Sequence, residues 1–177
     1  MDRRTLVADA ALDVVAAHGM KGLTHRAVDV ASGSPAGTTS NYFRTRTALV
    51  DAVAERLEQR DLEVWAAERA GPPPTDADAI AELVARELAV FATDHAGLAR
   101  VRLIFSLDQP AAVVAGHARF MVIARQLLEA AGVADAEVRA RWIADYGDGM
   151  LLHQLTARRG EAVDVETHRR AIRHLLD

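Results

Sequence analysis

The chain has 177 residues, of which 50% are apolar and 26% are charged, and it contains no cysteine. This length suits one domain, or a small module joined to a larger one, and the apolar fraction is sufficient for a sizeable core. The lack of cysteine excludes disulfide scaffolds and cysteine-ligated zinc. No window of about 18 residues is continuously apolar, so we expect no membrane-spanning segment.

Charge is distributed unevenly along the chain, whose net charge is −4. Residues 1–50 carry six basic and four acidic side chains, whereas residues 51–177 carry 15 basic and 21 acidic ones. An acidic protein is a poor candidate for nucleic-acid binding as a whole. The excess of positive charge near the N-terminus indicates which end of the chain would approach an anionic partner.

Helical periodicity runs through nearly the whole chain, and no segment shows the alternation typical of a strand. The sequence therefore predicts an all-α protein. We expect about nine helices, at residues 2–17, 24–31, from 35, 45–70, 76–93, 98–105, 110–131, 135–159 and 164–176.

Local signals set several of these helix boundaries. Gly19 should end the first helix, and Thr24 should cap the second. Ser34 followed by Pro35 should open a short third helix, because proline suits the first helical position. Asp135 should cap the eighth helix. The segment GPPPT at 71–75 should end the fourth helix, and it is the only obvious linker.

The segment PAGTTSNYFRTR at 35–46 is polar and poorly helix-forming, although helical periodicity flanks it on both sides. Together with the second helix and a turn that contains glycine, it has the spacing of a helix-turn-helix. A helix that enters the major groove needs small residues for close approach and short donors and acceptors for base edges. Residues with these properties are Ala36, Gly37, Thr38, Ser40 and Asn41.

Hydroxyl and cationic side chains flank this segment and suit phosphate contacts. They are Thr24, Arg26, Tyr42, Arg44 and Arg46, while Phe43 should anchor the unit in the core. Composition alone leaves open an ordinary polar loop between two helices.

The pattern resembles the DNA-binding signature of the tetracycline-repressor (TetR) family. The first matching features are a threonine that opens the second helix (Thr24), a glycine in the turn (Gly33) and a Gly-Thr pair (Gly37-Thr38). An aromatic pair (Tyr42-Phe43), a basic residue (Arg46) and a leucine (Leu49) follow. Two positions depart from the family pattern. Pro35 stands where the family usually has serine, and Thr39-Ser40 stand where it often has Leu-Tyr. Thr39 should then lie on the buried side.

The resemblance implies a DNA-binding domain at 1–46 and a helical regulatory and dimerisation domain at 47–177, connected by the helix at 47–70. It also implies a dimeric repressor that binds a double-stranded operator and releases it when a small molecule binds the C-terminal domain. The helix at 135–159 is apolar on more than one face, so it needs two partners. We expect a homodimer through this helix and the one at 164–176, which would complete a four-helix seam. A fully buried central helix in a monomer is the alternative.

The effector pocket of such a regulator is expected among the middle helices. The candidate residues are Trp65, Phe91, Phe105, His117, Phe120, Met121, Trp142, Tyr146 and His153. Aromatic residues at helical spacing are often simply core. No fixed charge stands out as a counter-ion, so a small hydrophobic effector is expected.

Motifs for catalysis are missing from the sequence. It contains no HExxH, GxSxG, GxGxxG or phosphate-binding glycine loop. We expect no enzyme activity, no metal and no cofactor, and a cytoplasmic location. A helical dimer that binds a ligand or a protein, without DNA binding, is the alternative function.

Overall fold

The computed structural model describes residues 2–177. This part of the chain folds into nine helices and contains no strand, which confirms the all-α prediction. The helices are α1 (Arg3–Gly22), α2 (His25–Ala31), α3 (Thr38–Tyr42), α4 (Arg46–Glu68), α5 (Ala77–Ala92), α6 (Ala96–Asp108), α7 (Pro110–Ala130), α8 (Ala136–Leu155) and α9 (Val165–Leu175).

Side-chain caps determine where several helices begin. Thr24 accepts a hydrogen bond from the backbone N–H of Ala27, as predicted, and Asp76 and Asp164 cap α5 and α9 in the same way. Each cap satisfies a backbone donor that the first helical turn leaves unpaired. Asp135 precedes α8 but makes no side-chain cap, because its backbone is left-handed with φ 49°. The predicted capping role of Asp135 is therefore wrong.

Three helices differ in length from the prediction. In α1, Gly19 takes φ 65° and breaks the helix as expected, but one more turn follows as far as Gly22. The helix predicted at 98–105 extends to Ala96–Asp108. The helix predicted at 135–159 ends at Leu155, and turns lead from there to Gly160, which has φ 88°.

The chain divides into two compact units that alternate along the sequence. The first comprises Met1–Leu62 and Gly97–Val114, and the second comprises Glu63–Ala96 and Ala115–Asp177. Helices α4 and α7 each contribute residues to both units. The division at residue 46 concerns functional modules and stays a prediction.

The core of the first unit consists of residues from α1, α2, α4 and α6, together with Leu23 and Phe43. Phe43 is buried among them, which confirms its predicted anchoring role. An ion pair between Arg56 and Asp9, with 2.7 Å between Nε and Oδ1, joins α4 to α1. The largest fully buried members besides Phe43 are Phe105, Leu23, Leu49, Val7, Val15, Val28, Val53 and Val101.

In the second unit, α5 packs against α9 and α8. Gly147 of α8 allows close approach, because a Cβ there would lie 3.1 Å from a methyl carbon of Leu88 on α5. Ile172 and Leu176 are buried in this unit. The apolar face of α9 is thus used within its own chain, and the dimer seam expected through α8 and α9 stays a prediction.

Helix α7 departs from the expectation that no segment is apolar enough to span a membrane. Within residues 2–177 it is the one helix that is long and apolar enough by length and composition. It nevertheless carries Arg119 and Arg125, and Leu128 near its C-terminal end is buried within the protein. Length and composition are weak evidence for a single helix, and the core helix of a water-soluble protein meets the same criteria.

Helices α8 and α9 are joined by a hydrogen bond between Tyr146 and His168, with 2.6 Å between the hydroxyl oxygen and Nδ1. Burial lowers the pKa of His168, and the nearby charge of Arg158 lowers it further. The tyrosine hydroxyl can donate to Nδ1 or accept from it, according to the tautomer of the ring. Burial and the charge of Arg158 therefore favour the neutral histidine.

The free energy of unfolding should consequently decrease as the pH falls below 6.5, the ordinary pKa of histidine. The unfolded chain binds the proton more readily than the folded chain, so the loss starts near that value and continues as pH falls through the folded-state pKa. His168→Gln should cost about 1 kcal/mol at neutral pH and should reduce this pH dependence. Denaturant unfolding between neutral and mildly acidic pH measures both effects. The exposed His174→Gln is the control, and an unchanged pH slope in His168→Gln would contradict the assignment.

Candidate nucleic-acid interface and candidate effector region

The turn between α2 and α3 depends on two glycines with positive φ. Gly33 has φ 62° and Gly37 has φ 89°, and side chains other than glycine are strained in this region. Helix α3 begins at Thr38, so the prediction that Ser34 and Pro35 open this helix is wrong. The carbonyl of Pro35 instead accepts hydrogen bonds from the backbone N–H and the hydroxyl of Thr38.

A carboxylate from α2 holds the start of α3. Asp29 is only 5% exposed. Its Oδ2 accepts the N–H of Gly37 at 2.7 Å, and its Oδ1 accepts both the N–H and the hydroxyl of Thr39, at 2.7 and 2.6 Å. Desolvation raises the pKa of Asp29, but the hydrogen bonds from Thr39 and Gly37 outweigh it and hold the pKa below its usual value. Thr39 is fully buried, as predicted.

Two further contacts hold the other end of α3. Nε2 of His25 lies 2.6 Å from the carbonyl oxygen of Phe43. The guanidinium of Arg46 donates to the carbonyls of Leu23 and Met20, at 2.5 and 2.7 Å. The short helix is thus attached at both ends to α2, to the end of α1 and to the start of α4.

The face of α3 opposite Thr39 is open to solvent. Ser40 and Asn41 are exposed there, Tyr42 is exposed at the end of the helix, and Ala36 and Gly37 are exposed just before it. Thr38 is half-buried. The hydroxyls of Thr38 and Ser40 donate to nearby carbonyls, so their oxygens remain able to accept a hydrogen bond.

The predicted phosphate-binding residues lie in the same unit as α3 and differ in what they already contact. Arg26 and Arg44 are exposed. Thr24 uses its hydroxyl to cap α2, and Arg46 uses two donors on carbonyls. The DNA-contacting roles of all ten residues stay predictions, and for Arg46 the structure adds a role within the fold.

Some of the candidate effector residues form one aromatic cluster in the second unit. The rings of Trp65 and Phe120 stack with centroids 4.9 Å apart and an interplanar angle of 28°, and Phe91 meets Trp65 edge-on at 6.2 Å. The three rings come from α4, α5 and α7, and Phe91 is fully buried among them.

A buried ion pair adjoins this aromatic cluster and was not singled out from the sequence. Glu87 is 6% exposed, and its Oε1 lies 2.7 Å from Nε of Arg69, whose guanidinium carbon lies 5.9 Å from the centre of Trp65. Burial raises the pKa of Glu87, and Arg69 opposes that shift. Glu87 could have been found from its spacing, because it lies four residues before Phe91 on the buried face of α5.

Four of the remaining candidate residues have other surroundings. Phe105 is fully buried in the core of the first unit. His153 and Trp142 are exposed on α8, and Tyr146 binds His168. The structure therefore does not bring these four together with the aromatic cluster.

The last two candidates, His117 and Met121, line an open groove of about 600 Å³ between α7 and α8. Charged side chains of both signs, among them Arg125 and Asp145, line the same groove. Within residues 2–177, no three His, Asp or Glu side chains form a group that could hold a metal ion.

Comparison with solved structures shows which class of protein this chain resembles. A TetR-family member from Streptomyces coelicolor A3 is 27% identical, with a TM-score of 0.79 over 100% of this chain and 99% of that one. The multidrug-binding protein EbrR, complexed with malachite green, is 26% identical, with a TM-score of 0.76 over 100% and 99% of the two chains. A transcriptional regulator from Rhodococcus sp. Rha1 shares the fold, with a TM-score of 0.80, 18% identity and coverage of 99% and 94%.

No family sequence model matches the chain, and no curated protein matches it. The structural likeness covers the whole chain and includes the helix-turn-helix, so the chain resembles the TetR family of transcriptional regulators over its full length.

Proposed function

We propose that the chain is a homodimeric repressor in the cytoplasm, without enzyme activity, that binds operator DNA through α3 and releases it when a small molecule binds the second unit. The observation that carries this proposal is the geometry of α3. This helix exposes Ser40, Asn41 and Tyr42 to solvent while its opposite side is bonded to the protein. Small polar side chains on an exposed helix-turn-helix suit the edges of bases in the major groove.

The positive charge near α3 supports the same proposal. Arg26 precedes α3 on α2, Arg44 follows it, and both are exposed. Cations at the edges of a reading helix contact phosphates and fix its register, whereas the helix itself contacts bases.

Regulation would act through helices that both units share. Helix α4 runs without interruption from the first unit into the second. In a dimer the two α3 helices must lie about 34–36 Å apart to enter successive turns of the major groove. A ligand that binds one arrangement more tightly than the other shifts the population towards it, and so changes operator affinity.

The face of α8 that stays exposed supports dimer formation. Val138, Trp142 and Leu152 lie on one stripe of α8 and are each nearly half exposed, and the exposed Asp145 lies between them on the same stripe. Gly149 belongs to the same stripe, and the space that its Cβ would occupy is open. Three large apolar residues and a glycine on one stripe let a second helix pack closely. We therefore propose α8 against α8 as the centre of the interface, with the polar face of α9 at its edge.

The effector is proposed to be a planar aromatic molecule with a positive charge, which refines the small hydrophobic effector expected from the sequence. The stacked Trp65 and Phe120 offer flat surfaces for an aromatic ring. Glu87 offers a buried negative charge beside them once Arg69 is displaced. Aromatic faces and a desolvated carboxylate both favour a cation. EbrR, which has this fold, is complexed with proflavin, ethidium and malachite green in solved structures.

DNA binding is tested by Arg44→Ala on a duplex that the protein itself selects from a random library. The logarithm of the affinity should fall less steeply with the logarithm of salt concentration, by roughly one unit for each phosphate that is no longer neutralised, hence about two per dimer. The control is Arg86→Ala on α5, which removes the same charge from the second unit. If wild-type protein selects no duplex and shows no salt-dependent binding, a helical dimer without DNA binding is the better account.

Dimer formation is tested by Trp142→Glu, which replaces the largest apolar residue of the proposed stripe with a second carboxylate, one turn from Asp145. Burying unpaired carboxylates at an interface costs several kcal/mol, so we expect monomers in sedimentation experiments and a matching loss of operator affinity. Val30→Glu alters another exposed apolar residue, on α2 in the first unit, and should leave the dimer intact. A variant that stays dimeric would place the interface elsewhere.

The effector class is tested by titrating malachite green into the protein without DNA. Glu87→Gln should weaken binding by about tenfold, in line with the ~1–2 kcal/mol of a desolvated cation contact. Glu82→Gln, on the exposed face of the same helix, should not. The dye should also lower the operator affinity of wild type more than that of Glu87→Gln, and this comparison controls for dye that binds DNA directly. Equal dye affinity in wild type and Glu87→Gln would exclude the carboxylate from the site.

A further inference from the structure

Helix α3 cannot set its own position. It contains five residues, and a helix this short is not stable by itself in water. Its N-cap residue is Gly37, which has no side chain and makes no cap hydrogen bond. The backbone donors of its first turn must therefore be satisfied from outside.

Asp29 supplies the missing acceptors from the neighbouring helix. One oxygen binds the N–H of Gly37, and the other binds both donors of Thr39. Two bonds to the backbone fix how far α3 lies from α2. The third bond, to the Thr39 hydroxyl, fixes the rotation of α3 about its axis, because it holds that side chain inward.

The rotation of α3 decides which residues face outward. With Thr39 buried, Ser40 and Asn41 are exposed. A carboxylate accepts hydrogen bonds only along directions near its lone pairs, and bonds to a charged acceptor are short and strong. Two apolar residues of similar size in place of Asp29 and Thr39 would fill the same space. They would not fix the rotation of α3 so closely, because apolar contacts are not directional.

We propose that Asp29 is a positioning residue for DNA recognition, which acts through Thr39 to set the height and rotation of α3, so that Asn41 and Ser40 reach base edges. This proposal rests on the proposed DNA-binding function of α3. It also accounts for a buried negative charge in a unit that must approach phosphates. The charge is stabilised in place by three hydrogen-bond donors, and it contributes geometry that an apolar residue would not.

The test is a double-mutant cycle between Asp29→Asn and Asn41→Ala, measured on the duplex that the wild-type protein selects. An asparagine offers one acceptor and one donor group, so its NH₂ would face an N–H that needs an acceptor. Asp29→Asn should weaken binding to the selected duplex by about tenfold, the size of one good base contact. The affinity of this variant for random-sequence duplex should stay as in wild type, because the phosphate contacts remain. For the same reason, the dependence of the logarithm of its affinity on the logarithm of salt concentration should not change.

The decisive readout is the coupling between the two sites. If Asp29 positions Asn41, then Asn41→Ala should cost little further affinity in the Asp29→Asn background, whereas it should cost about tenfold in wild type. A residue that acts only on overall stability would give additive effects. Asp51→Asn, an exposed aspartate on α4 in the same unit, controls for the change in net charge.

A milder variant covers the case in which Asp29→Asn does not fold. Thr39→Val removes only the hydroxyl bond and keeps both backbone bonds, so it should give a smaller loss, and that loss should likewise not add to the loss from Asn41→Ala. Additive effects, or wild-type affinity in a folded Asp29→Asn or Thr39→Val protein, would overturn the positioning role while leaving DNA binding intact. Failure of wild type to select any duplex would instead refute the proposed function.

Discussion

The proposed activity depends on holding a helix of five residues that has too few hydrogen bonds to stabilise itself. The protein holds it by contacts from three other parts of the first unit. Asp29 binds its start, Phe43 is buried directly after it, and Arg46 binds carbonyls at the end of α1. With one side of α3 held in this way, its other side is left for polar residues that do not pack against the protein.

A different constraint organises the second unit. Its helices must bury apolar faces within the chain while leaving an exposed surface for the proposed dimer. Helix α9 uses its apolar residues within its own chain, where Ile172 is fully buried. Helix α8 buries Met150 and Leu151 but leaves Trp142 on the surface. The difference between these two neighbouring helices is the reason for placing α8 at the centre of the proposed dimer.

Two buried carboxylates each adjoin a proposed site. Asp29 adjoins the reading helix, and Glu87 adjoins the aromatic rings around Trp65. A buried carboxylate costs free energy unless donors satisfy it. Asp29 is satisfied by donors of α3 and its N-cap, within one small motif. Glu87 is satisfied by one arginine, so a cationic ligand could replace that partner without leaving the carboxylate alone.

The sequence by itself determined the helical class, most helix boundaries and the location of the helix-turn-helix. These features follow from local signals, such as the periodicity of apolar residues, the Thr24 cap and the backbone freedom of Gly19. Only the tertiary structure decided the true start of α3, because the acceptor for its first turn comes from Asp29, eight and ten residues earlier in the chain. The same holds for the pairing of Glu87 with Arg69, the burial of Phe105 in the first unit and the burial of Ile172 within its own chain. Each of these depends on contacts between residues that are distant in sequence, and spacing along one helix carries no information about which neighbour will cover its apolar face.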